Sequence, residues 1–336
     1  MWKVGLVGAG YISGQHLEAW SKHENAKVAA LCDLDEHKLN ERGEQFGIPQ
    51  SARYTDVDEM LASADIEIVD ITTPPSSHLM LVRKASAAKK HILCQKPLAP
   101  TYEEAEEMVQ TARAAGVRFM VTENWRWLAQ MQNLKSVMQS GKVGKPFYAK
   151  YSTQHYFTPK ISPDKQIAQP YFREMPKLVM YEMGTHWFDV WRFLFGEPNR
   201  LTAEMQTISP YIKGEDVGTV LIGHDDCHGV MEKSWASRRS FGKPHTEHFF
   251  IETDRNSLLV FGDGTVKLLD ENGETVLNGP LGRDYGESFR RLQAHFLECL
   301  ETGEEFQTSG EDNLKTLRLV FAAYESAEKG ETIRLI

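Results

Sequence analysis

A glycine-rich turn near the start of the chain most constrains the fold. Residues 4–7 form a short apolar run, and it is followed by Gly8-Ala9-Gly10-Tyr11-Ile12-Ser13-Gly14. The next stretch, 15–22, has a helix-like pattern, so the order is strand, glycine turn, helix. In this order a G-x-G-x-x-G signature predicts dinucleotide binding, because Gly8 allows the bend and Gly10 lets the backbone approach a pyrophosphate. The third motif position is Ser13, and a tight turn without a ligand is the alternative.

An aspartate after the second strand indicates which dinucleotide binds. The apolar strand at 27–32 ends on Asp33, which lies 20 residues beyond Ser13. At about this spacing an acidic side chain meets the adenosine ribose hydroxyls. A carboxylate accepts both hydroxyls and repels a 2′-phosphate, so NAD is predicted rather than NADP. Asp33 could instead cap the helix that starts near Glu36, and the two roles can coexist.

Strands and helices alternate as far as residue 122. Strands are predicted at 66–71, 92–94 and 118–121, and helices at 77–88 and 102–115. This alternation is typical of a doubly wound parallel sheet. The predicted fold class is therefore α/β, with an NAD-binding Rossmann domain over residues 1–123.

The remaining residues, 124–336, have a different pattern. Strands without intervening helices are predicted at 146–156, 200–210, 218–224, 229–237 and 248–252. They predict a C-terminal α+β domain, for substrate binding and oligomerisation, with a large, mostly antiparallel open sheet. Helices near 177–195, 284–302 and 312–329 are predicted to cover one face of that sheet.

The length and charge of the chain exclude several classes of partner. Its 336 residues exceed one ordinary core, which predicts two domains. A formal net charge of −9 argues against nucleic acid or an anionic membrane as the main partner. The four cysteines are far apart in sequence and form no C-x-x-C pair, which disfavours a metal knuckle or a disulfide framework. No stretch approaches membrane-spanning length, and a reducing cytoplasm is the expected compartment.

A lysine follows the strand that ends at Cys94, in the tripeptide Gln95-Lys96-Pro97. Ligands of doubly wound sheets bind beyond the carboxyl ends of the strands, so Lys96 is predicted to face the cofactor. Pro97 removes a backbone donor and fixes the local turn. A surface lysine in a loop is the alternative.

The segment 182–189 is the second candidate for chemistry. Glu182, His186 and Asp189 are predicted to share one face of a helix that runs to about Phe195. Few charged residues remain for a solvated side, so this face is expected to be partly enclosed. A carboxylate beside an enclosed histidine tunes it as a base near neutral pH. A structural histidine, or a metal site with the same spacing, is the alternative.

Three further stretches contain candidate ligand contacts. Asn124-Trp125-Arg126-Trp127 follows the last parallel strand at the predicted domain junction, although its aromatic residues are also typical of packing. His78, after Pro74-Pro75-Ser76-Ser77, either lines the nicotinamide end of the cofactor or begins its helix. His155, in the predicted sheet, is a candidate for substrate contact.

These separated motifs, in this order, resemble the Gfo/Idh/MocA oxidoreductase family, named for glucose–fructose oxidoreductase and inositol dehydrogenase. The resemblance covers nearly the whole chain, from the glycine turn with His16 to the closing helix and Gly330. It implies a Rossmann domain, an open antiparallel α/β domain, and dimers or tetramers assembled through that sheet. It also implies a catalytic lysine in a Glu-Lys-Pro motif and a catalytic histidine four residues after an aspartate.

This sequence departs from the family pattern at two positions. Gln95 replaces the motif glutamate, and it can hydrogen-bond but carries no charge near the nicotinamide ribose. Glu182 replaces the motif aspartate and keeps the carboxylate on a longer stem. Lys96 and His186 are retained.

The residues and the resemblance together predict an NAD-dependent oxidoreductase that transfers a hydride between the cofactor and a hydroxyl carbon of a sugar or polyol, for example an aldose such as apiose. The predicted catalytic residues are Lys96, His186 and Glu182. The predicted cofactor contacts are Gly8, Gly10, Tyr11, Ile12, Asp33, Thr73, Pro74, His78, Gln95, Lys96, Asn124 and Trp127. The predicted substrate contacts are Lys96, Arg126, His155, Glu182 and His186.

No metal, nucleic acid or membrane partner is predicted, and the expected assembly is a homodimer or homotetramer. The alternatives are a dinucleotide-binding regulator without catalysis and a metal-dependent sugar lyase or isomerase.

Overall fold

The first sheet is parallel and has six strands. The computed structural model describes residues 1–241, 248–282 and 284–335. The strand order is β3-β2-β1-β4-β5-β6. The strands are β1 Trp2–Val7, β2 Ala26–Cys32, β3 Arg53–Tyr54, β4 Ile68–Ile71, β5 His91–Gln95 and β6 Phe119–Thr122. Every residue of β4 and β6 is buried, as in parallel strands covered on both faces. The predicted Rossmann sheet is confirmed.

Helices connect these strands: α1 Ser13–Trp20, α2 Glu36–Gln45, α3 Val57–Ser63, α4 His78–Ala87 and α5 Tyr102–Ala115. Thr101 caps α5 by accepting a hydrogen bond from the Glu104 amide at 3.2 Å, and Gly116 ends it with φ of 70°. The chain leaves β1 for β2 on one side and later returns to β4 on the other. In such sheets the crevice at the carboxyl ends of the two strands where the order reverses, here β1 and β4, is the ligand site.

Helix α9, Tyr285–Thr302, belongs to the core around the parallel sheet. Its Leu292 and Phe296 lie in one buried cluster with Leu6 and Leu17. The prediction that this helix covers the second sheet is therefore wrong. An amphipathic stripe shows that a helix face is buried, but it does not show which sheet buries it.

The described residues form two compact units. One consists of Met1–Trp127 and Tyr285–Leu317, and the other of Leu128–Asp284 and Arg318–Ile336. The functional division predicted at residues 123 and 124 stays a prediction.

The second sheet has nine strands in the order β14-β13-β12-β11-β7-β10-β9-β8-β15. Their bounds are β7 Pro146–Gln154, β8 Arg200–Gln206, β9 Val217–Gly223, β10 His228–Ser234, β11 His248–Thr253, β12 Ser257–Val260, β13 Val266–Asp270, β14 Gly273–Asn278 and β15 Ile333–Arg334. Strands β7 and β10 pair in parallel, whereas the other described neighbours are antiparallel. The predicted mostly antiparallel sheet is confirmed.

The remaining helices are α6 Ala129–Gln139, α7 Val179–Glu182, α8 Gly184–Phe195 and α10 Gly310–Lys329. The prediction of one continuous helix over 177–195 is wrong, because Met183 (φ −106°, ψ −28°) separates α7 from α8. Gly184, a weak helix former, directly follows the break. A Cβ at Gly184 would lie 3.0 Å from Sδ of Met180, so a larger residue there would require the Met180 side chain to shift. Within the described ranges, no helix is both long and apolar enough to cross a membrane.

Candidate active site

The glycine turn sits where β1 and β4 end. Gly8 has φ of +104°, and a Cβ there would lie 2.9 Å from the carbonyl carbon and oxygen of Thr72. The Thr72 hydroxyl donates to the carbonyl oxygen of Gly8 at 2.7 Å. Only glycine fits between these groups, and the turn is tied directly to the end of β4.

The surface beyond Gly10 has room for a ligand. Among the described residues other than Ala9, Gly10 and Tyr11, no heavy atom lies within 4 Å of the position that a Cβ on Gly10 would take. The Ser13 hydroxyl donates to the Gly10 carbonyl at 2.7 Å, and the N-cap residue Ile12 makes no side-chain hydrogen bond to the first turn of α1. Tyr11 is exposed and Ile12 is half-buried. An uncapped helix start with open backbone fits a pyrophosphate.

Asp33 lies at the carboxyl end of β2 and reaches the glycine turn. Its carboxylate accepts from the amides of Ala9 at 2.6 Å and Asp35 at 2.8 Å. The helix-cap alternative for Asp33 is wrong, since Asp35 caps α2 by accepting from the amides of His37 and Lys38. A carboxylate offers about four acceptor sites. Two accepted bonds leave Asp33 capacity for two ribose hydroxyls.

Arg42 on α2 is a second charged group at this turn, and sequence reasoning missed it. Its Nη2 donates to the Gly10 carbonyl at 3.2 Å, and its Nη1 lies 3.1 Å from the position of a Cβ on Gly14. Arginine near this position accommodates the 2′-phosphate of NADP in some Rossmann domains. No motif spacing links Arg42 to the turn, so the contact could be found only from the folded chain.

His78 begins α4 and is fully buried. Its Nδ1 lies 2.9 Å from the carbonyl oxygen of Leu98, and its Nε2 lies 2.8 Å from that of Thr73. Burial lowers the pKa of this imidazole, and the two carbonyl contacts oppose that shift. The ring therefore joins the loop after β4, with Thr73 and exposed Pro74, to the loop after β5. The cofactor contact of these three residues stays a prediction.

Gln95 ends β5, and Lys96 follows it half-buried. The Lys96–Pro97 peptide bond is cis. Gln95 Oε1 accepts from the Lys96 amide at 2.7 Å, and Gln95 Nε2 lies 3.1 Å from Nε2 of His16. The structure thus brings Lys96 to the carboxyl edge of the same sheet as Gly8 and Asp33, on the end where ligands of this fold bind.

The stretch after β6 is held by packing within the first unit. The Asn124 side chain donates to the Ser288 hydroxyl at 2.8 Å. Arg126 is buried, donating to the Gln307 carbonyl at 2.8 Å and pairing with Asp312 at 3.2 Å. Trp127 lies in the buried cluster described above. These contacts give Arg126 and Trp127 structural roles, and their predicted ligand contacts stay predictions.

The second unit contains the other candidate side chains. His186 and Asp189 lie on α8, three residues apart and therefore on one face, and their exposed fractions are 2% and 0%. The enclosure predicted for them is confirmed. Glu182 ends α7 and is partly exposed, so it reaches this region from a separate short helix. His155 is half-buried after β7, where its amide donates to the Ser234 carbonyl at 2.7 Å.

Tyr171 is a candidate that sequence reasoning left unassigned in the irregular segment 158–176. Partial burial, and then the negative charge of Glu182, raise the pKa of its phenol to about 12. Its hydroxyl accepts from Gln169 Nε2 at 2.5 Å. Tyr171 therefore keeps its proton at neutral pH and can donate a hydrogen bond in the neighbourhood of Glu182.

The described part of the chain contains no group of three or more His, Cys, Asp or Glu side chains arranged to hold a metal ion. The four cysteines are free thiols.

Comparison with known proteins gives a match for each of the two predicted domains. Residues 2–123 match the model of an oxidoreductase family with an NAD-binding Rossmann fold. Residues 131–264 match the model of the GFO/IDH/MocA C-terminal domain.

Two curated proteins illustrate the similarity. D-apiose dehydrogenase of Rhizobium rhizogenes is 34% identical over 98% of this chain and 96% of its own length. Myo-inositol 2-dehydrogenase of Thermotoga maritima is 26% identical over 99% of this chain and 98% of its own.

Among solved structures, an oxidoreductase from Agrobacterium radiobacter in complex with NAD+, L-tartaric acid and magnesium superimposes with a TM-score of 0.90. It is 33% identical, and the match covers 99% of this chain and 98% of that one.

Proposed function

The chain belongs to the Gfo/Idh/MocA family of NAD(P)-binding oxidoreductases, and from this premise we propose that it is an NAD-dependent dehydrogenase acting on a hydroxyl carbon of a sugar. The observation that carries the proposal is the presence of both Lys96 and His186, each in a segment that differs from its family motif at one position, together with similarity to a D-apiose dehydrogenase over 98% of the chain. Aldose oxidation of this kind yields a lactone.

The cofactor site is proposed to prefer NAD over NADP. Asp33 has acceptor capacity for the ribose hydroxyls, and its negative charge repels a 2′-phosphate. Arg42 lies nearby, but its guanidinium is directed to the Gly10 carbonyl and Gln45. The related Agrobacterium structure, which contains NAD+, supports the same choice.

The chain's own side chains are proposed to bind the substrate and move its proton. Bound NAD supplies a nicotinamide that accepts the hydride. His186 takes the proton of the reacting hydroxyl as general base, and Glu182 holds the imidazole basic. Lys96 hydrogen-bonds the same oxygen and stabilises its developing negative charge. His186 is almost fully enclosed, which strengthens these electrostatic interactions because little water screens them.

A panel of candidate substrates tests the proposal. D-apiose, myo-inositol and L-tartaric acid are each incubated with the protein and NAD+ or NADP+, and reduced cofactor is followed by absorbance. The largest kcat/KM is expected for D-apiose with NAD+, unchanged by a chelator. Failure to reduce either cofactor with any compound contradicts the dehydrogenase, and loss of activity in the chelator favours a metal-dependent reaction.

Exchanging the charge at residue 33 is expected to reverse the cofactor preference. Asp33→Ser with Leu34→Arg removes the ribose acceptor and places a cation at a side chain that is 90% exposed. The exchange removes the two hydrogen bonds that the ribose hydroxyls would donate to the Asp33 carboxylate. The value of kcat/KM for NAD+ should therefore fall by about 10- to 100-fold, while that for NADP+ rises.

Asp35→Ser is the matched control for this exchange, because Asp35 caps α2 and serine also caps helices. It should leave the cofactor ratio unchanged. An unchanged ratio in the Asp33 variant would show that the ribose hydroxyls are bound elsewhere.

A further inference from the structure

We propose that Asp70, His16 and Gln95 form a one-directional hydrogen-bond relay that fixes the peptide of Lys96. In this relay Asp70 supplies the buried carboxylate that the Glu-Lys-Pro pattern would place at residue 95. The catalytic consequence for Lys96 rests on the proposed function, whereas the relay itself is a property of the first unit alone.

The relay crosses three elements around the parallel sheet. His16 on α1 places Nδ1 at 2.8 Å from Oδ2 of Asp70, which lies on β4. Trp20 Nε1 donates to the same oxygen at 2.7 Å. On the other side of the ring, Nε2 lies 3.1 Å from Nε2 of Gln95, and Gln95 Oε1 accepts from the Lys96 amide at 2.7 Å.

Burial makes these hydrogen bonds obligatory. His16 and Asp70 are 0% exposed, and Gln95 is 6% exposed. A buried carboxylate is costly unless donors surround it. The Trp20 indole and the His16 imidazole, one turn apart on α1, both face the carboxylate of Asp70.

The donor and acceptor chemistry fixes the direction of the relay. A carboxylate only accepts, so Nδ1 of His16 carries the proton and its Nε2 keeps a lone pair. The amide nitrogen of Gln95 only donates, and it faces that lone pair. The Gln95 oxygen is thereby left to accept from Lys96. The sequence of donors is Lys96 to Gln95, Gln95 to His16, and His16 to Asp70.

This direction explains why glutamine suits residue 95. With a glutamate at residue 95, the His16 imidazole would face two acceptors, the carboxylate of that glutamate and the carboxylate of Asp70. The neutral ring has one N–H, so it could donate a hydrogen bond to only one of the two carboxylates unless it became an imidazolium. With the carboxylate at Asp70, the side chain at residue 95 must be a donor toward His16.

The relay also connects the two parts of the cofactor edge. His16 lies in the first turn of the helix that follows Gly8-Ala9-Gly10, and Lys96 follows β5. A fully satisfied buried network allows few alternative geometries. It therefore holds the Lys96 backbone in a fixed orientation relative to the glycine turn.

Relocating the carboxylate tests the relay. Gln95→Glu places two carboxylates at His16, whereas the double variant Gln95→Glu with Asp70→Asn has one. In the double variant the imidazole proton moves to Nε2 and donates to the new carboxylate at residue 95. The side-chain amide introduced at residue 70 donates through its nitrogen to Nδ1 and accepts through its oxygen from Trp20. Every group again has a partner.

Imidazole nitrogen NMR of histidine-labelled protein shows the position of the proton without substrate or cofactor. His16, assigned by loss of its signals in His16→Gln, should carry its proton on Nδ1 in the wild type, on both nitrogens in Gln95→Glu, and on Nε2 in the double variant. A wild-type proton on Nε2 overturns the relay, even if every variant misfolds.

Turnover provides the second readout. Gln95→Glu should lower kcat by about 10- to 100-fold, the effect of an uncompensated buried charge, and adding Asp70→Asn should restore most of the loss. Gln293→Glu is the matched control, since Gln293 is buried and donates to the backbone carbonyl of His16 rather than to its ring. Asp70→Asn should not rescue it. If Asp70→Asn rescues Gln95→Glu and Gln293→Glu equally, the relay is wrong. If wild-type His16 carries its proton on Nδ1 but the protein does not oxidise sugars, only the proposed function is refuted.

Discussion

Replacement of Lys96 by methionine is expected to lower kcat for sugar oxidation by about 10²- to 10⁴-fold, while the Kd of NAD+ changes by no more than a few-fold. Methionine keeps most of the apolar stem but removes the ammonium. The lost interaction is with a negative charge that develops on the substrate oxygen, so it is made mainly in the transition state. Such a loss lowers kcat and kcat/KM together and leaves KM nearly constant.

Steady-state kinetics and cofactor titration measure these quantities separately. Lys27→Met is the control, because Lys27 is an exposed residue of β2 in the same unit. It should match the wild type in every parameter. If Lys96→Met raised only KM, the lysine would bind the substrate without stabilising the transition state, and the catalytic assignment would be wrong.

Local chemistry made much of the first unit predictable. Helix α5 has the predicted bounds because Thr101 and Gly116 supply both of its end signals within the sequence. Five of the six strands are short apolar runs between turn residues, so periodicity predicts them, whereas it does not predict the two-residue strand β3. The position of Lys96 at the sheet edge follows from the same rule, since it comes directly after a buried strand.

Features that depend on distant contacts could not be predicted in this way. Asp33 and Asp35 both stand at capping distance from α2, and only the folded chain shows that Asp35 caps it while Asp33 binds the Ala9 amide. Helix α9 has an apolar stripe that either sheet could have buried. Arg42 meets the glycine turn through a contact between residues 32 positions apart, which no local pattern encodes.

The relay is the strongest example of this limit. In the sequence, Gln95 resembles a conservative loss of charge, because amide and carboxylate have the same shape. Its meaning depends on Asp70, which lies in an otherwise apolar strand and departs from the pattern of that strand. Gln95 Nε2 lies 3.1 Å from Nε2 of His16, and in the proposed relay Asp70 supplies the charge that Gln95 lacks.

Replacement of His186 by alanine is the second large expected effect, a fall in kcat of about 10²- to 10⁴-fold with NAD+ binding retained. General-base catalysis also makes kcat rise with pH as the base loses its proton, and this rise should disappear in the variant. Alanine leaves a cavity at a site that is 2% exposed, so His186→Gln, which fills the space without acting as a base, should show the same kinetic loss with smaller thermal destabilisation.

The pH profile distinguishes a base from a structural histidine. A histidine that only supports α8 would, when replaced, lower the melting temperature and the amount of active enzyme, while the remaining activity kept the wild-type pH profile. His37→Ala is the control, because the His37 side chain is 89% exposed on α2 and its replacement should affect neither quantity.

An unchanged pH profile in His186→Gln would remove His186 from the mechanism, and the proton of the reacting hydroxyl would need another acceptor in the second unit. Tyr171 would not serve at neutral pH, because its raised pKa of about 12 keeps it protonated. Glu182, which is partly exposed, would then be the group to replace next.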